Sequence, residues 1–264
     1  METLVAGFSR YQSVLQLFTE EQSSWTVAGI SESLGLPGST AYRTVRELVK
    51  AGFLEPSAGA SYRLGAAFIV YDRLIRLTDP LVRAGYGILQ DAVRQAQIPC
   101  VGLLARLYHE TVMCIADAST ATVALRSSYQ RGRLMPLTRG ATSKVILAQL
   151  SGRKLSKLLM SADDDVQPSG DSIDAFKDDL ARIRKNGFCI SKGEIDTGLV
   201  GVAAPVVEPE LGIVASLSLV LSADALSDAA ERRIALLTVS SAALVNEQLS
   251  GGPSGQRPSP DNRQ

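Results

Sequence analysis

The sequence predicts an α+β chain in three consecutive parts, and three observations carry that reading. Residues 8–65 hold short amphipathic helical patterns followed by a turn-rich strand pair. Residues 66–79, AAFIVYDRLIRLTD, form one connecting helix that stops before Pro80, and residues 80–249 alternate helical with strand patterns. From Ser250 the stretch SGGPSGQRPSPDNRQ is rich in Gly, Ser and Pro with nothing to bury, which is the composition of a disordered tail over 250–264.

In the first part, Ser9 is placed to cap a helix whose Val14, Leu15, Leu17 and Phe18 form an apolar stripe. Val27, Ile30 and Leu34 suit a short second helix closed by Gly35, and Leu36-Pro37-Gly38 is a tight break. A third helix runs from Ser39 through Ala51, with Ala41, Val45, Leu48 and Val49 inward and Gly52 as its stop. FLEPSAGASYRLG then reads as a strand, a glycine turn and a second strand. Two short helices joined by a glycine-containing turn and followed by a ribbon make the layout of a winged helix-turn-helix.

Such a motif needs its second helix to expose short polar and basic side chains, because bulky apolar ones cannot bond base edges in the major groove. Ser39, Thr40, Tyr42, Arg43 and Arg46 fall on the outward side. Arg43 has the fork that matches a guanine edge, Ser39 and Thr40 suit phosphate at the helix N-terminus, and Arg63 sits on the wing near a backbone or minor groove. The competing reading makes Arg43, Arg46 and Lys50 a solvated face balanced by Glu47. In the connecting helix, Phe68, Ile69, Leu74 and Leu77 are too apolar for a lone surface helix. They predict packing against the same helix of a second chain, or else against the flanking domains.

The third part opens with an amphipathic helix over Pro80–Ala96. Strands are expected at Val101–Leu107 and Thr111–Ala116 around a turn at His109-Glu110, with another at Val123–Arg126. Leu134-Met135-Pro136-Leu137 leads into Thr138-Arg139-Gly140-Ala141-Thr142 and the apolar helix SKVILAQL. A glycine turn there aims backbone N–H groups from a helix N-terminus, which suits an anion or equally an ordinary loop-to-helix junction. Ser172–Asn186 is a further helix, Phe188–Ser191, Val200–Val207 and Ile213–Val220 are strands, and a last helix follows Ser222. Alternation sets the Ser216 and Ser218 hydroxyls on one sheet face, where they can hold a ligand's carboxylate or hydroxyl or simply bond neighbouring backbone.

Three blocks in order carry a resemblance. They are GLPGSTAYRTVRELVKAGFLE…SYRLG, RGRLMPLTRGATSKVILAQL, and LARIRKNGFCISKGEIDTGLVGVAAPVVEPELGIVASLSLVLS. Over residues 8–249 the chain resembles IclR-type bacterial transcriptional regulators. The resemblance implies a homodimer or homotetramer of a DNA-binding domain, a linker helix and a GAF-like effector-binding domain. Its partners would be double-stranded operator DNA and a small organic acid, and it would act as repressor or activator. Matched motif to motif, the family's pocket positions fall on Gly140, Ala141, Ser191, Gly201, Ser216 and Ser218. In some carboxylate-binding members the position of Ser191 is acidic and that of Gly201 is Cys. The smaller residues here imply a roomier pocket and a ligand larger than a two- or three-carbon acid, an aromatic or medium-sized carboxylate. Leu134, Met135, Leu137 and Leu199 would form its apolar walls.

Composition bounds the alternatives. The chain has 264 residues, 45% apolar and 20% charged, which is room for two modest domains and excludes a wholly disordered protein. The balance of 27 basic against 27 acidic residues argues against a general nucleic-acid coat but leaves room for a reader with a local basic face. Three unpatterned cysteines and one histidine exclude a disulfide framework and a multi-cysteine zinc site, so no metal or cofactor is expected. No apolar run spans a membrane, and METLVAGFSRYQ lacks a leader's basic region and apolar core, so the expected compartment is the cytoplasm. Ser151-Gly-Arg-Lys154 lacks the companion motifs of acyl-transfer enzymes, Asp163-Asp164-Asp165 lacks calcium-loop spacing, and Cys189 reads as a strand residue or a redox-sensing thiol. No catalytic residue is expected. A small-molecule enzyme with a helical appendage would need a general base, and Gly, Ala and Ser positions supply none. A pure protein-interaction module would bind without regard to salt or DNA sequence.

Overall fold

The computed structural model describes residues 2–120, 128–161 and 173–251, in two compact units divided between Thr78 and Asp79. The expected strand at Val123–Arg126, the Asp163–Asp165 run and the tail beyond Gly251 lie outside those residues.

The first unit contains α1 (Glu2–Gln16), β1 (Trp25–Thr26), α2 (Val27–Ser33), α3 (Gly38–Lys50), β2 (Leu54–Pro56), β3 (Ser61–Leu64) and α4 (Ala67–Thr78). Its core joins Val14 of α1, Ile30 of α2, Ala41, Val45 and Leu48 of α3, and Leu54 of β2. α2 is capped by Thr26, whose hydroxyl accepts from the Gly29 N–H at 3.1 Å, and Gly35 turns the chain at φ 61°. Two expectations shift. Ser9 lies inside α1 and accepts the Ser13 hydroxyl on its carbonyl, so it is no cap, because nothing from Glu2 onward breaks the helix. α3 opens at Gly38, one residue early, behind Pro37, which offers no side-chain cap. The ribbon also gains a strand: β1 pairs with β3, giving the order β1-β3-β2. At its base the chain is tight, since a Cβ on Gly65 would stand 2.3 Å from the Gly52 carbonyl oxygen.

The second unit is built on α5 (Pro80–Gln95), β4 (Cys100–Tyr108), β5 (Thr111–Ser119), β6 (Leu134–Met135), α6 (Ala141–Ala148), α7 (Gly152–Ser161), α8 (Ile173–Asn186), β7 (Cys189–Lys192), β8 (Leu199–Glu208), β9 (Ile213–Ser222) and α9 (Asp228–Gly251). Its antiparallel sheet runs β6-β5-β4-β9-β8-β7. α5 and α9 cover one face, packing on Leu104, Leu217, Leu219 and Leu221. α6 and α8 cover the other, with Leu103, Ala203 and Val220 below and Val145, Ile146, Phe176 and Leu180 above. The strict alternation along β9 assigns Leu217 and Leu219 to the first face and Ser216, Ser218 and Val220 to the second. α7 was not foreseen, although Leu155, Leu158 and Leu159 have helical spacing and are buried. α9 continues two residues past 249, to Gly251.

Candidate functional site

Periodicity in α3 separates the reading face from the core. Ala41, Thr44, Val45 and Leu48 are buried, while Ser39, Tyr42, Arg43 and Arg46 are exposed and Thr40 is half-buried. Thr44 turns its hydroxyl onto the Thr40 carbonyl at 2.9 Å, so it adds no polar group to the outer face. Glu47 accepts a hydrogen bond from the Tyr11 hydroxyl and makes no ion pair with the arginines, and neither Arg43 nor Arg46 has an ion-pair partner among the described residues. The helix therefore presents two free guanidinium groups beside Tyr42, which suits phosphate and base-edge contacts. Arg63 stands differently. It pairs with Glu55 at 3.5 Å on the wing, and Glu55 also accepts from the Ala66 N–H at 2.9 Å. Both side chains are exposed, so a phosphate can compete for Arg63 at small cost.

The second site is the sheet face beneath the N-terminus of α6. Gly140 has φ 83°, and a Cβ there would lie 2.6 Å from the Tyr129 hydroxyl oxygen and 2.9 Å from Ile195. Only glycine lets the chain turn there while Tyr129 lies over it. The first N–H groups of α6 are aimed at β7 and the loop after it: Ala141 N–H donates to Ser191 Oγ at 2.9 Å and Gly140 N–H to Glu194 Oε2 at 2.9 Å. Glu194 Oε1 meets Lys144 Nζ at 2.8 Å, and its carbonyl accepts from Arg139. Gly201, opposite Ser191 in the β7–β8 pairing, keeps this approach open, since a Cβ there would come within 3.3 Å of Ser191 Oγ.

Deeper in, Thr142 donates to Ser218 Oγ at 3.0 Å, with both side chains buried. Ser216, also fully buried, has a hydroxyl with no hydrogen-bond partner among the described residues. Burying an unpaired hydroxyl is costly, and a group left so on a face lined by Ala105, Met135, Leu137 and Val214 is one for which a ligand is a natural partner. Tyr129 is buried and has its phenol pKa raised by desolvation, against a hydrogen bond with Thr142 that lowers it. Its neighbour Ser128 donates through N–H to Asp196 at 2.8 Å, so the loop between β7 and β8 is tied to the strap before α6 at two carboxylates.

The structure thus brings Gly140, Ala141, Ser191, Gly201, Ser216 and Ser218 to one face, with Met135 and Leu137 buried and Leu199 half-buried against it. Leu134 is corrected: the alternation of β6 turns it outward, 51% exposed, so it does not line the face with Met135. Glu194, Asp196, Lys144 and Tyr129 were missed. The available signal was GEIDTG, two carboxylates in a glycine-bounded loop, close to the glycine turn in space but not in sequence. Burial pushes the Cys189 thiol up to about 12, which keeps it protonated at neutral pH.

A winged helix whose outer face carries two arginines without ion-pair partners among the described residues, in a chain with a second sheet unit, has the layout of a DNA-binding regulator. Residues 9–58 match the IclR helix-turn-helix domain and residues 100–245 match the model of the bacterial transcriptional regulator IclR C-terminal domain. The chain belongs to the IclR family, whose members regulate transcription and are not enzymes. It is 24% identical over 210 residues to the transcriptional repressor IclR of Escherichia coli K12, covering 76% of this chain and 74% of the repressor. It is 22% identical over 216 residues to the Pca regulon regulatory protein of Pseudomonas putida, covering 81% and 73%. Among solved structures, an IclR homologue from Microbacterium hydrocarbonoxydans complexed with 4-hydroxybenzoate superposes with TM-score 0.76 at 21% identity, covering 92% of this chain and 99% of that one. An IclR-type regulator from Alicyclobacillus acidocaldarius superposes with TM-score 0.77 at 21% identity, covering 92% and 98%.

Proposed function

We propose that this regulator senses an organic acid, aromatic or medium-sized, on the α6-covered face of its second unit, and reads operator DNA with Ser39, Thr40, Tyr42, Arg43 and Arg46, with Arg63 on the wing. The observation that carries the sensing role is the buried, unpartnered Ser216 hydroxyl on a face otherwise built of small and apolar residues. Gly140, Ala141, Ser191, Gly201 and Ser218 surround the acid's carboxylate end, and Met135, Leu137 and Leu199 enclose its body. The 4-hydroxybenzoate bound by the Microbacterium homologue is an acid of this size. Calorimetry against 4-hydroxybenzoate, benzoate, glyoxylate and pyruvate tests the class: tight binding of the two small acids with none of the aromatic ones would overturn it.

The protein acts in the cytoplasm as a homodimer or homotetramer. α4 supports this: Ile69, Val70, Tyr71, Leu74, Ile75 and Leu77 are all exposed on it, Ile69 by 72%. A second copy of α4 is the partner of matching chemistry, and pairing sets two reading helices on two half-sites.

A further inference from the structure

The carboxylate cradle of α6 is already filled, by the chain itself. Glu194 Oε2 takes the Gly140 N–H, and Glu194 Oε1 takes Lys144. These are the positive end of a helix and its nearest ammonium group, the two groups a ligand carboxylate would seek. A sign of a ligand apart from the Glu194 contacts is the buried Ser216 hydroxyl, which has no hydrogen-bond partner among the described residues and lies two residues along β9 from Ser218, whose partner Thr142 lies in the first turn of α6. We propose that Glu194 is a built-in occupant of the effector's carboxylate cradle, and that an acid effector binds by exchanging with it. This rests on the organic-acid reading above.

The surroundings suit exchange. Glu194 sits in a loop bounded by Gly193 at φ 66° and Gly198 at φ 81°, where no neighbour crowds either glycine. A groove of about 480 Å³, lined by Lys144, Asp179, Arg182, Asn186 and Glu194 among others, opens beside the pair and gives the displaced carboxylate room to swing out, with Arg182 there held by Asp179 at 3.0 Å. Exchange also sets specificity. A bare small acid trades one carboxylate for another and gains nothing, while paying the entropy of association. An acid with an apolar body gains burial against Met135, Leu137 and Val214, and one with a distal hydroxyl or carbonyl gains Ser216 as well. Glu194 is thus a filter against small acids. Its release removes the Gly140 and Lys144 ties of that loop and leaves those of Arg139 to the Glu194 carbonyl and of Ser128 to Asp196, so occupancy is coupled to the loop through the Glu194 side chain alone.

Chemical rescue of the full-length protein tests the exchange without the natural effector. Thermal unfolding is followed in sodium acetate and in sodium chloride at equal ionic strength. Wild type shows no acetate-specific change, because its cradle is full. Glu194→Ala empties the cradle, and about 0.1 M acetate raises its midpoint by about 2–4 °C over chloride. Glu194→Gln, which keeps the side chain's shape and leaves Lys144 without its counter-ion, shifts in the same direction by less and covers the case in which the alanine variant does not fold. Acetate leaving both variants unmoved, or moving wild type equally, overturns the proposal. Acetate rescue with no aromatic acid bound by any form keeps Glu194 as occupant and sinks the organic-acid reading. Aromatic acids bound equally by wild type and Glu194→Ala, without acetate rescue, do the reverse.

Discussion

Ser216 and Ser218 share one face of β9 two residues apart, and among the described residues only Ser218 has a partner, the Thr142 hydroxyl at 3.0 Å. The same side chain thus does two jobs: one serine ties the sheet to α6, and the other stands unsatisfied beside it.

That asymmetry predicts opposite stability effects from one substitution. Ser218→Ala removes the bond that ties β9 to Thr142 at the start of α6, leaves Thr142 with the Tyr129 hydroxyl alone, and costs about 1 kcal/mol. Ser216→Ala removes an unsatisfied group and raises stability by about 1 kcal/mol while weakening effector binding. Urea unfolding of the two variants, with calorimetry on 4-hydroxybenzoate, separates them. Equal destabilisation would mean that Ser216 is structurally bonded.

Gly140→Ala puts a methyl group 2.6 Å from the Tyr129 hydroxyl oxygen at a positive φ. Strain and overlap together cost about 2 kcal/mol or more, and the response to acids is lost. Circular dichroism melting gives the first quantity, and acid-induced shifts in melting give the second.

Arg43 is exposed and has no ion-pair partner among the described residues, so Arg43→Ala leaves folding unchanged and lowers operator affinity by about 1–3 kcal/mol if it reads a base. Relaxed preference among operator variants distinguishes base reading from a phosphate contact, whose loss weakens all sequences alike and reduces the salt slope. An unaltered affinity for every DNA would remove Arg43 from the interface.

Ile69→Asp in α4 places a charge at a position 72% exposed in the single chain, where the fold has little to lose. Multi-angle light scattering should find the variant shifted toward monomer relative to wild type. A wild type that is itself monomeric at micromolar concentration contradicts pairing through α4.

The buried thiols give the pH dependence. Desolvation raises Cys100 to about 11, and Cys114 and Cys189 to about 12, from an ordinary 9.0. The unfolded chain loses these protons first, so the thiols' contribution is intact below pH 9 and is lost as pH climbs toward 11–12, by about 1.4 kcal/mol per thiol per pH unit in that window. Native protein at pH 8 should resist thiol-modifying reagents that label it fully in urea.

The helix periodicities and strand alternation were legible because each is a local pattern: α3, α5 and α8 follow their apolar stripes, and β8 and β9 follow their apolar runs. What escaped is non-local. β1 is two residues long and exists because Trp25 and Thr26 meet Tyr62 and Ser61. Glu194 matters because folding sets it against Gly140, 54 residues earlier in the chain, and no local spacing encodes that distance. The start of α1 was misjudged because a serine able to cap a helix is equally able to sit within one, as Ser9 does. Leu134 was misassigned because its strand is too short for alternation to be read before its pairing with Met113 is known.

The most direct test of a DNA-binding regulator controlled from its second unit is fluorescence anisotropy on DNA from upstream of its own coding region. Scrambled DNA of equal length serves as control, at two salt concentrations, with and without an aromatic acid. The expected result is sequence-preferring binding that weakens with salt and changes when the acid is added. Equal, weak binding to both DNAs, or operator binding that no organic acid alters, would contradict it.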